Sequence, residues 1–451
     1  MSAETRAPGW PERLLRPFAE VRAGEAVTVL LLALTIFVLL TSYYLLKVIR
    51  EPLILLGGGA EQKAYAAAGQ ALLLIPVLKA HGAIARRVSR LRLIAIILLF
   101  VASNLVIFAV LLRASVPIGL AFYLWVGTFN YLLVATFWSF ANDVYTPEQG
   151  KRLFAIVGVG SSVGALAGAA LARLLLRHLS PLHLMLGSAA LLALALLPFA
   201  WINAHERCRP KDLGREVARD QPLTGAGGFQ ALLADRYLLL IGLITILANW
   251  VTNSGEYVLD RTLIDVARSG AMSMADAHRF VGEFKAEYFW WVNLVAVLGQ
   301  FLIVSRALKY LGVGGALLVL PLVSMAGATA IVLMPALALI RTAKIAEKGV
   351  EYSLETTAVN ALYLVVSRDA KYKAKAVIDT LLVRSGDVCA AASIWVGTHF
   401  LDLRTHGFAA LNVLLTAIWL VAAWQVRHLN LARSGAIEST PPASATAAHS
   451  T

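Results

Sequence analysis

Residues 26–51 read AVTVLLLALTIFVLLTSYYLLKVIRE, an apolar run that ends in the charged residues Lys47, Arg50 and Glu51. The uncharged part, Ala26–Leu46, is long enough for a helix that crosses the hydrocarbon core, which takes roughly 20 apolar residues. A charge at membrane depth costs about 3 kcal/mol or more, so it normally faces a protein interior or a watery cavity and marks a solute path. The stretch therefore predicts a membrane-spanning helix that ends in functional charges.

The composition extends this prediction to the whole chain. Its 451 residues are 59% hydrophobic and 15% charged, with a mean hydropathy of +0.72, whereas soluble domains are about 45–50% apolar and about 25% charged. We predict an all-α integral membrane protein with twelve spans, or eleven if the tenth and least apolar run does not cross. The predicted spans are Ala26–Leu46, Ala64–Leu78, Leu93–Leu112, Ile118–Ala141, Phe154–Leu176, Leu182–Ile202, Tyr237–Leu259, Tyr288–Val304, Val313–Met334, Pro335–Leu354, Ala376–Phe400 and Phe408–Val426.

A polar stretch from His205 to Arg236 follows the sixth span, and its prolines and glycines are typical of a loop. It divides the spans into two sets of six, the layout of major facilitator transporters, which hold the solute near the bilayer midplane between the halves. The outer connection from Asp260 to Glu287 is also polar, and we predict a short helix around Met274–Phe284 within it. The predicted domains are a cytoplasmic N-terminus (1–25), a six-helix bundle (26–203), a cytoplasmic linker (204–236), a second six-helix bundle (237–428) and a disordered cytoplasmic tail (429–451).

The net charge of +13 is concentrated in the short connections on one side of the predicted spans. The connection after the second span, for example, holds Lys79, Arg86, Arg87, Arg90 and Arg92 without an acid. Because an excess of Lys and Arg in short loops marks the cytoplasmic side, both termini are predicted to be cytoplasmic. We interpret the charge as a determinant of topology and expect no nucleic-acid partner. The N-terminus has no cleavage site after a short apolar core, so no removable signal peptide is predicted.

Four glycines in the fifth span, Gly158, Gly160, Gly164 and Gly168, have the spacing G-x-G-x-x-x-G-x-x-x-G. This spacing differs from the dinucleotide-binding fingerprint, and the context is an apolar helix rather than a strand-to-helix turn. Small residues four apart allow transmembrane helices to approach closely. We therefore predict a tight helix–helix contact here.

The sequence contains no recognisable enzyme constellation. The nine His residues form neither an H-x-x-x-H nor an H-E-x-x-H pair, and there is no Walker loop or nucleophile elbow. We predict no catalytic residue, no metal site and no cofactor.

The charged end of the first span offers candidate residues for binding a solute. Lys47 lies three residues before Arg50 and four before Glu51, so these side chains share a helix face, and Tyr44 precedes them by one turn. One interpretation is a pair of cations lining a cavity for an anionic solute. The alternative is that the long side chains reach for lipid head groups.

A late run carries a similar stripe. Its charged residues follow a spacing of three or four, so they share one face of a helix: Arg341, Lys344, Glu347, Lys348 and Glu351. This stripe either completes a cationic lining or forms the solvated face of a cytoplasmic amphipathic helix. Candidates for charge balance or proton coupling are Glu51, Glu256, Glu347, Glu351 and Asp379; candidates for lining a cavity are Tyr44, Asn130, Asn142 and Asn249.

Four short motifs, in matching order along nearly the whole chain, resemble those of the ATP/ADP translocases of plastids and intracellular bacteria and their wider group of bacterial relatives. Residues 44–51 (YLLKVIRE) are similar to the aromatic, basic-x-x-basic-acidic run of that family, and residues 137–142 (FWSFAN) to its F-W-G-F-A-N signature. Residues 351–354 (EYSL) and 371–379 (KYKAKAVID) resemble K-Y-S-L and K-V-K-G-K-A-A-I-D. Three positions depart from the pattern: Val126 and Thr252 stand about where the family has acids, and Glu351 replaces a basic residue.

The resemblance implies a major facilitator-like fold and counter-exchange of nucleotides in a bacterial inner membrane. It also implies that Lys47 and Arg50 contact phosphate, with Lys375 and Arg384 as later basic counterparts. We expect a monomeric transporter that works by alternating access and moves nucleotides or a related phosphorylated anion, with Arg341, Lys344 and Lys348 completing the lining. The alternatives are a proton- or ion-coupled carrier of another organic solute and a non-transporting membrane scaffold or receptor.

Overall fold

The computed structural model describes residues 21–22, 25–207, 228–366, 374–375 and 377–438, and the regular structure within these ranges is helical. Two π-helices, Glu351–Glu355 and Ile378–Leu382, and a 3₁₀ turn, Tyr363–Val365, interrupt the later α-helices. The α-helices are α1 (Ala26–Ala85), α2 (Arg90–Arg113), α3 (Gly119–Val144), α4 (Pro147–Leu175), α5 (Pro181–Leu194), α6 (Leu196–Arg207), α7 (Gly228–Ala234), α8 (Arg236–Ser269), α9 (Met274–Leu302), α10 (Val304–Ala316), α11 (Val319–Leu333), α12 (Leu337–Val350), α13 (Thr356–Leu362), α14 (Val383–His399) and α15 (Thr405–Glu438).

Several of these helices can cross a membrane. In the described ranges there are seven candidate spans, one of which, Pro181–His205, joins α5 and α6, or eight if α9 and α10, which meet at a 77° bend, form one span. The prediction of an all-α membrane fold is confirmed. The exact number of twelve spans stays a prediction, because α12 has only 14 residues and a π-helix opens the segment before α14.

The chain forms two compact units. Unit 1 comprises Met1–Asp220 and Ile264–Asn293, and unit 2 comprises Gln221–Leu263 and Leu294–Thr451. The bundle boundaries predicted from the sequence differ from these units at residues 264–293, which the prediction placed in the second bundle.

Helix α1 organises unit 1. Its 60 residues contain both of the first two predicted spans, and the connection predicted between them is helical except at Gly59, whose φ of +83° breaks the helix. Positive φ is readily adopted by glycine because it has no Cβ. Lys47, Arg50 and Glu51 all lie before this break and on the same helical segment.

The glycines of α4 bring its backbone against α1. A Cβ atom on Gly160 or Gly164 would lie 2.4 Å from the carbonyl oxygen of Ala33 or 2.6 Å from that of Phe37. Gly168 is similarly close to Thr41, whose hydroxyl donates a hydrogen bond of 3.2 Å to the Gly164 carbonyl. The predicted close contact is therefore confirmed at these three glycines. It is wrong at Gly158, which faces open space.

One predicted polar connection is replaced by helix. The outer connection 260–287 is almost entirely helical, because α8 extends to Ser269 and α9 begins at Met274, so the short helix predicted at Met274–Phe284 is the first part of α9. Polar residues on the exposed side of these helices made the segment resemble a loop.

The final helix, α15, runs to Glu438, so residues 429–438 of the predicted disordered tail are helical. The remaining residues of that tail lie outside the described residues, as do most of the predicted N-terminus and linker.

Candidate functional site

A group of buried charges in unit 1 surrounds the carboxylate of Glu51. We call it the Glu51 cluster: Arg50, Glu51 and Lys63 from α1 and Lys285 from α9. Glu51 is 1% exposed and Lys285 is completely buried, while Arg50 and Lys63 are 8% and 9% exposed. Helix α1 supplies Arg50 and Glu51 as neighbours, and the break at Gly59 precedes the turn that carries Lys63.

Glu51 is the carboxylate that three cations share. Its Oε2 accepts a hydrogen bond of 2.5 Å from Lys63 Nζ and lies 3.7 Å from Lys285 Nζ. Its Oε1 lies 3.4 Å from Arg50 Nε. The guanidinium of Arg50 also stacks over the Tyr123 ring, with its carbon 4.4 Å from the ring centroid.

The four side chains of the cluster, three cations and one acid, carry a formal net charge of +2. Two unit charges about 4 Å apart interact by about 4 kcal/mol at an effective dielectric constant of 20. Three cations around one carboxylate therefore attract a further anion, which would reduce the repulsion among them. The cluster is suited to a small, multiply charged anion.

Lys47 lies one helical turn before the cluster and is half-buried. Its Nζ sits 4.2 Å from the centroid of the Phe289 ring and 4.9 Å from that of Tyr44. The Tyr44 hydroxyl in turn donates a hydrogen bond of 3.0 Å to the side-chain oxygen of Asn293. Aromatic faces hold an ammonium group by cation–π attraction, so α1 and α9 together position this lysine.

Three cations of unit 2 are arranged differently, because Lys344, Lys348 and Arg384 each lie beside a separate carboxylate. Lys344 is 1% exposed, and its Nζ donates hydrogen bonds of 2.8 Å to Glu347 Oε1 and 3.1 Å to the carbonyl of Thr252. The Thr252 hydroxyl donates to the same Glu347 oxygen at 3.1 Å. Thus Thr252, which stands where the resembled family has an acid, orients the carboxylate of Glu347.

The same pattern recurs along the chain. Lys348 Nζ lies 3.0 Å from Glu351 Oε2, and Arg384 donates to Asp387 Oδ2 at 2.8 Å. Lys375 is 4.0 Å from Asp379. Each of these later cations therefore lies beside a different carboxylate.

The other predicted site residues have less specific surroundings. Arg341, Glu256 and Asn130 are half-buried, and Asn142 is exposed near the end of α3. Asn249 lines a cavity of unit 2, and its side-chain nitrogen donates a hydrogen bond of 2.8 Å to the Thr245 carbonyl.

Sequence reasoning missed Lys63, Lys285 and Glu355. Lys63 precedes a predicted span, and Lys285 falls in what the sequence analysis treated as a polar connection. Treating residues 274–302 as a helix would have identified Lys285. The spacing of Val281, Lys285 and Tyr288 at three or four residues places this lysine on an otherwise apolar face. Glu355 carried no sequence signal that separates it from nearby acids.

The chain is similar to curated carrier proteins from bacteria. It is 24% identical over 370 residues to the ADP,ATP carrier protein 1 of Chlamydia pneumoniae, a match that covers 70% of this chain and 69% of that protein. It is 23% identical over 343 residues to the ADP,ATP carrier protein 4 of Rickettsia bellii, covering 67% and 64%. The chain thus spans about two thirds of the length of the curated relatives it matches. These homologues confirm the resemblance found in the motifs, while no protein-family model matches the chain.

The solved structures that resemble this chain are transporters of the major facilitator type. The nucleoside transporter NupG, for example, is 11% identical, covers 89% of this chain and 98% of its own, and superimposes with a TM-score of 0.59. This likeness shows the fold and confirms the predicted fold class. The homologues are carriers rather than enzymes, and their bacterial sources fit a multi-pass protein of a bacterial membrane.

Proposed function

We propose that the protein is a membrane transporter that exchanges nucleotides of the ATP/ADP type by alternating access. In this proposal Lys47 and the Glu51 cluster hold the phosphate groups. The observation that carries it is the sharing of one buried carboxylate, Glu51, among three cations.

The chemistry of phosphate supports this assignment. A nucleotide brings several negative charges on a compact group of oxygens, and Lys and Arg bind phosphate through charge-assisted hydrogen bonds. Among Lys47, Arg50, Lys63 and Lys285, Lys47 is the most exposed, so it makes the first contact. Arg50, Lys63 and Lys285 supply positive potential from behind it.

The relatives support the choice of nucleotide. The curated homologues are named ADP,ATP carrier proteins, and the motif of residues 44–51 resembles that of the ATP/ADP translocases. The same resemblance implies that Lys375 and Arg384 are later basic contacts, but each lies beside its own carboxylate, so we propose a supporting role for both. The ion pairs of Lys344 and Lys348 favour a supporting role for these two lysines, in place of the cationic lining predicted from the sequence.

The remaining features of the proposal follow from the sequence. The protein has no enzymatic activity, functions as a monomer and binds no nucleic acid. It lies in the bacterial inner membrane with both termini in the cytoplasm, because the excess of Lys and Arg in short loops marks that side.

Counter-exchange in proteoliposomes tests this function. The full chain is reconstituted into vesicles loaded with unlabelled ADP, with adenosine or with buffer alone, and the uptake of radiolabelled ATP is measured. We expect rapid uptake into the ADP-loaded vesicles and little into the other two, because exchange requires a nucleotide on both sides.

Other outcomes separate the alternatives. ATP that enters none of the vesicles, while another organic solute accumulates under a proton or sodium gradient, would support a coupled carrier. A scaffold or receptor would move no solute, and replacement of Lys47 by Ala would leave its function intact.

A further inference from the structure

Unit 2 contains a cavity of about 350 Å³ whose lining includes Thr252, the partner of Lys344 and Glu347, but neither of these two charged residues. Its polar lining includes Asn249, Thr252, Glu351, Glu355, Asn360 and Asp379. At about 30 Å³ for each water molecule, it has room for on the order of ten waters. We call it the Glu355 cavity.

Glu355 differs from the other acids of this cavity. It is 7% exposed, and its Oε2, like that of Glu351, has no hydrogen-bond partner among the described residues. Within those ranges it also forms no ion pair, whereas Glu351 is matched by Lys348 and Asp379 by Lys375. An ionised carboxylate in such a setting costs several kcal/mol, and a buried group of this kind commonly becomes neutral instead.

The local backbone is also unusual at this point. Glu351 and Glu355 are the first and last residues of a π-helix, in which the Thr356 N–H and hydroxyl both bond to the Glu351 carbonyl. π-Helical turns occur mostly as short interruptions of α-helices and frequently mark functional sites. Here the wide turn places two carboxyl groups along one side of the same cavity.

We propose that Glu355 is a proton-binding site, which takes a proton from hydronium in the cavity and returns it to cavity water. The carboxylate gains the proton and the hydronium becomes water, so no other reactant is needed. This activity goes beyond nucleotide exchange, and its detection requires no nucleotide.

The charged groups around the site favour a proton over a fixed ion pair. On its own segment, the negative charge of Glu351 opposes ionisation of Glu355, and Lys348 is held by Glu351. Across the cavity, Asp379 adds a further acid, and Glu256 of α8 acts on Lys348 rather than on Glu355. Helices α11 and α13 carry no ionisable residue. The ionisable residues of α10, Arg306, Lys309 and Tyr310, are exposed.

Infrared spectroscopy of the purified full chain tests the proposal. Protein labelled with ¹³C-glutamate separates Glu carboxyl bands from those of Asp. We expect a protonated Glu C=O band at neutral pH that disappears as the pH is raised. Glu355→Gln should remove this band, while the control Glu148→Gln, at an exposed position on α4, should keep it.

Two results would overturn the proposal. One is a titrating band that persists in Glu355→Gln, which would place the proton elsewhere. The other is the absence of such a band in the wild type together with a melting temperature that rises with NaCl but not with KCl. This combination would assign the site to a metal cation. The variant Glu355→Gln is compared only if it elutes as a folded, monodisperse protein. If it does not, the infrared titration of the wild type alone tests the proposal, because the complete absence of a titrating Glu band contradicts it.

Discussion

The two units use the same residue types, Lys, Arg and Glu, in different ratios. In unit 1 one carboxylate, Glu51, is shared by three cations, and in unit 2 each of Lys344, Lys348 and Arg384 has its own. A matched buried pair is close to neutral in its effect on stability when compared with well-packed apolar residues. A shared carboxylate leaves positive potential that an anionic solute can use. The comparison therefore teaches that the ratio of charges, rather than their number, distinguishes a candidate binding site from structural pairs.

The largest effect is expected from Glu51→Gln. The change leaves three buried cations close together without their common carboxylate, and breaking a buried ion pair in this way costs about 3–5 kcal/mol. We expect a large fall in melting temperature that added inorganic phosphate partly restores. The control is Glu283→Gln, because Glu283 is a partly exposed acid 4.0 Å from Arg177, and such exposed pairs contribute about 0.2–1 kcal/mol. An equal fall in melting temperature in both variants would show that Glu51 contributes no more to stability than an exposed acid.

The pair in unit 2 should behave as a unit. Lys344→Met and Glu347→Leu each leave a buried charge behind, whereas the double variant removes both and should approach wild-type stability. Melting temperatures of the three variants give a coupling energy, which is about 0.5–3 kcal/mol for contacting residues. If the double variant loses as much stability as the two single variants together, Lys344 and Glu347 act independently. Unit 2 would then not contain the matched pair that distinguishes it from unit 1.

A smaller effect tests whether α4 holds α1, and with it Lys47, in place. In Gly164→Ala the new methyl group would lie 2.6 Å from the Phe37 carbonyl oxygen, so a backbone must move. Overpacking of this kind costs about 1–3 kcal/mol. Gly158→Ala is the matched control, because no atom lies within 4 Å of the added Cβ. We expect reduced stability and weaker nucleotide binding only in Gly164→Ala, and similar behaviour of both variants would contradict the packing argument.

The smallest effect concerns an ion pair of unit 2 outside the spans. Burial raises the pKa of Asp235, but hydrogen bonds from the Arg433 side chain and from the backbone of Tyr237 outweigh this and hold its pKa below the ordinary value. A carboxyl with a lowered pKa adds stability above its unfolded pKa, about 3.9, and this is lost as the pH falls through the folded value.

Asp235→Asn should therefore melt slightly below wild type at neutral pH, by the equivalent of about 0.2–1 kcal/mol for an exposed pair. The difference should shrink in acid below the unfolded pKa. The exposed Asp265→Asn should show no such convergence. If the difference in melting temperature between wild type and Asp235→Asn grows on acidification, the pKa of Asp235 is not lowered by folding.

The parts of the structure that depend on local pattern were predictable from sequence. The apolar run to Leu46 and the spacing of Lys47, Arg50 and Glu51 placed three charges on one helix, and the glycine spacing of α4 predicted a close helix–helix contact without identifying α1 as the partner. Both inferences depend only on helical periodicity and residue size, which operate over a few residues.

The rest depends on contacts between distant segments. Lys285 meets Glu51 only because α9 packs beside α1, and nothing near residue 285 in the chain indicates this partner. The interpretation of Lys344 and Lys348 as a cationic lining needed the same information, because their charge ratio is set by which side chains meet in the fold. Glu355 stands out only through the absence of a described partner, a property that no local pattern encodes.

The most direct test of the central claim is a calorimetric comparison of ATP, ADP, AMP and adenosine binding to wild type and to Lys47→Ala. Lys309→Ala is the control, because Lys309 is an exposed lysine that also lies over a tyrosine ring. We expect the affinity of the wild type for these ligands to fall as phosphates are removed. A hydrogen bond to a charged group contributes about 1.5–3 kcal/mol, so Lys47→Ala should weaken ATP binding roughly ten- to hundredfold and adenosine binding little. Two results would contradict the proposed phosphate site. One is adenosine binding to wild type as tight as that of ATP, and the other is an ATP affinity that Lys47→Ala leaves unchanged.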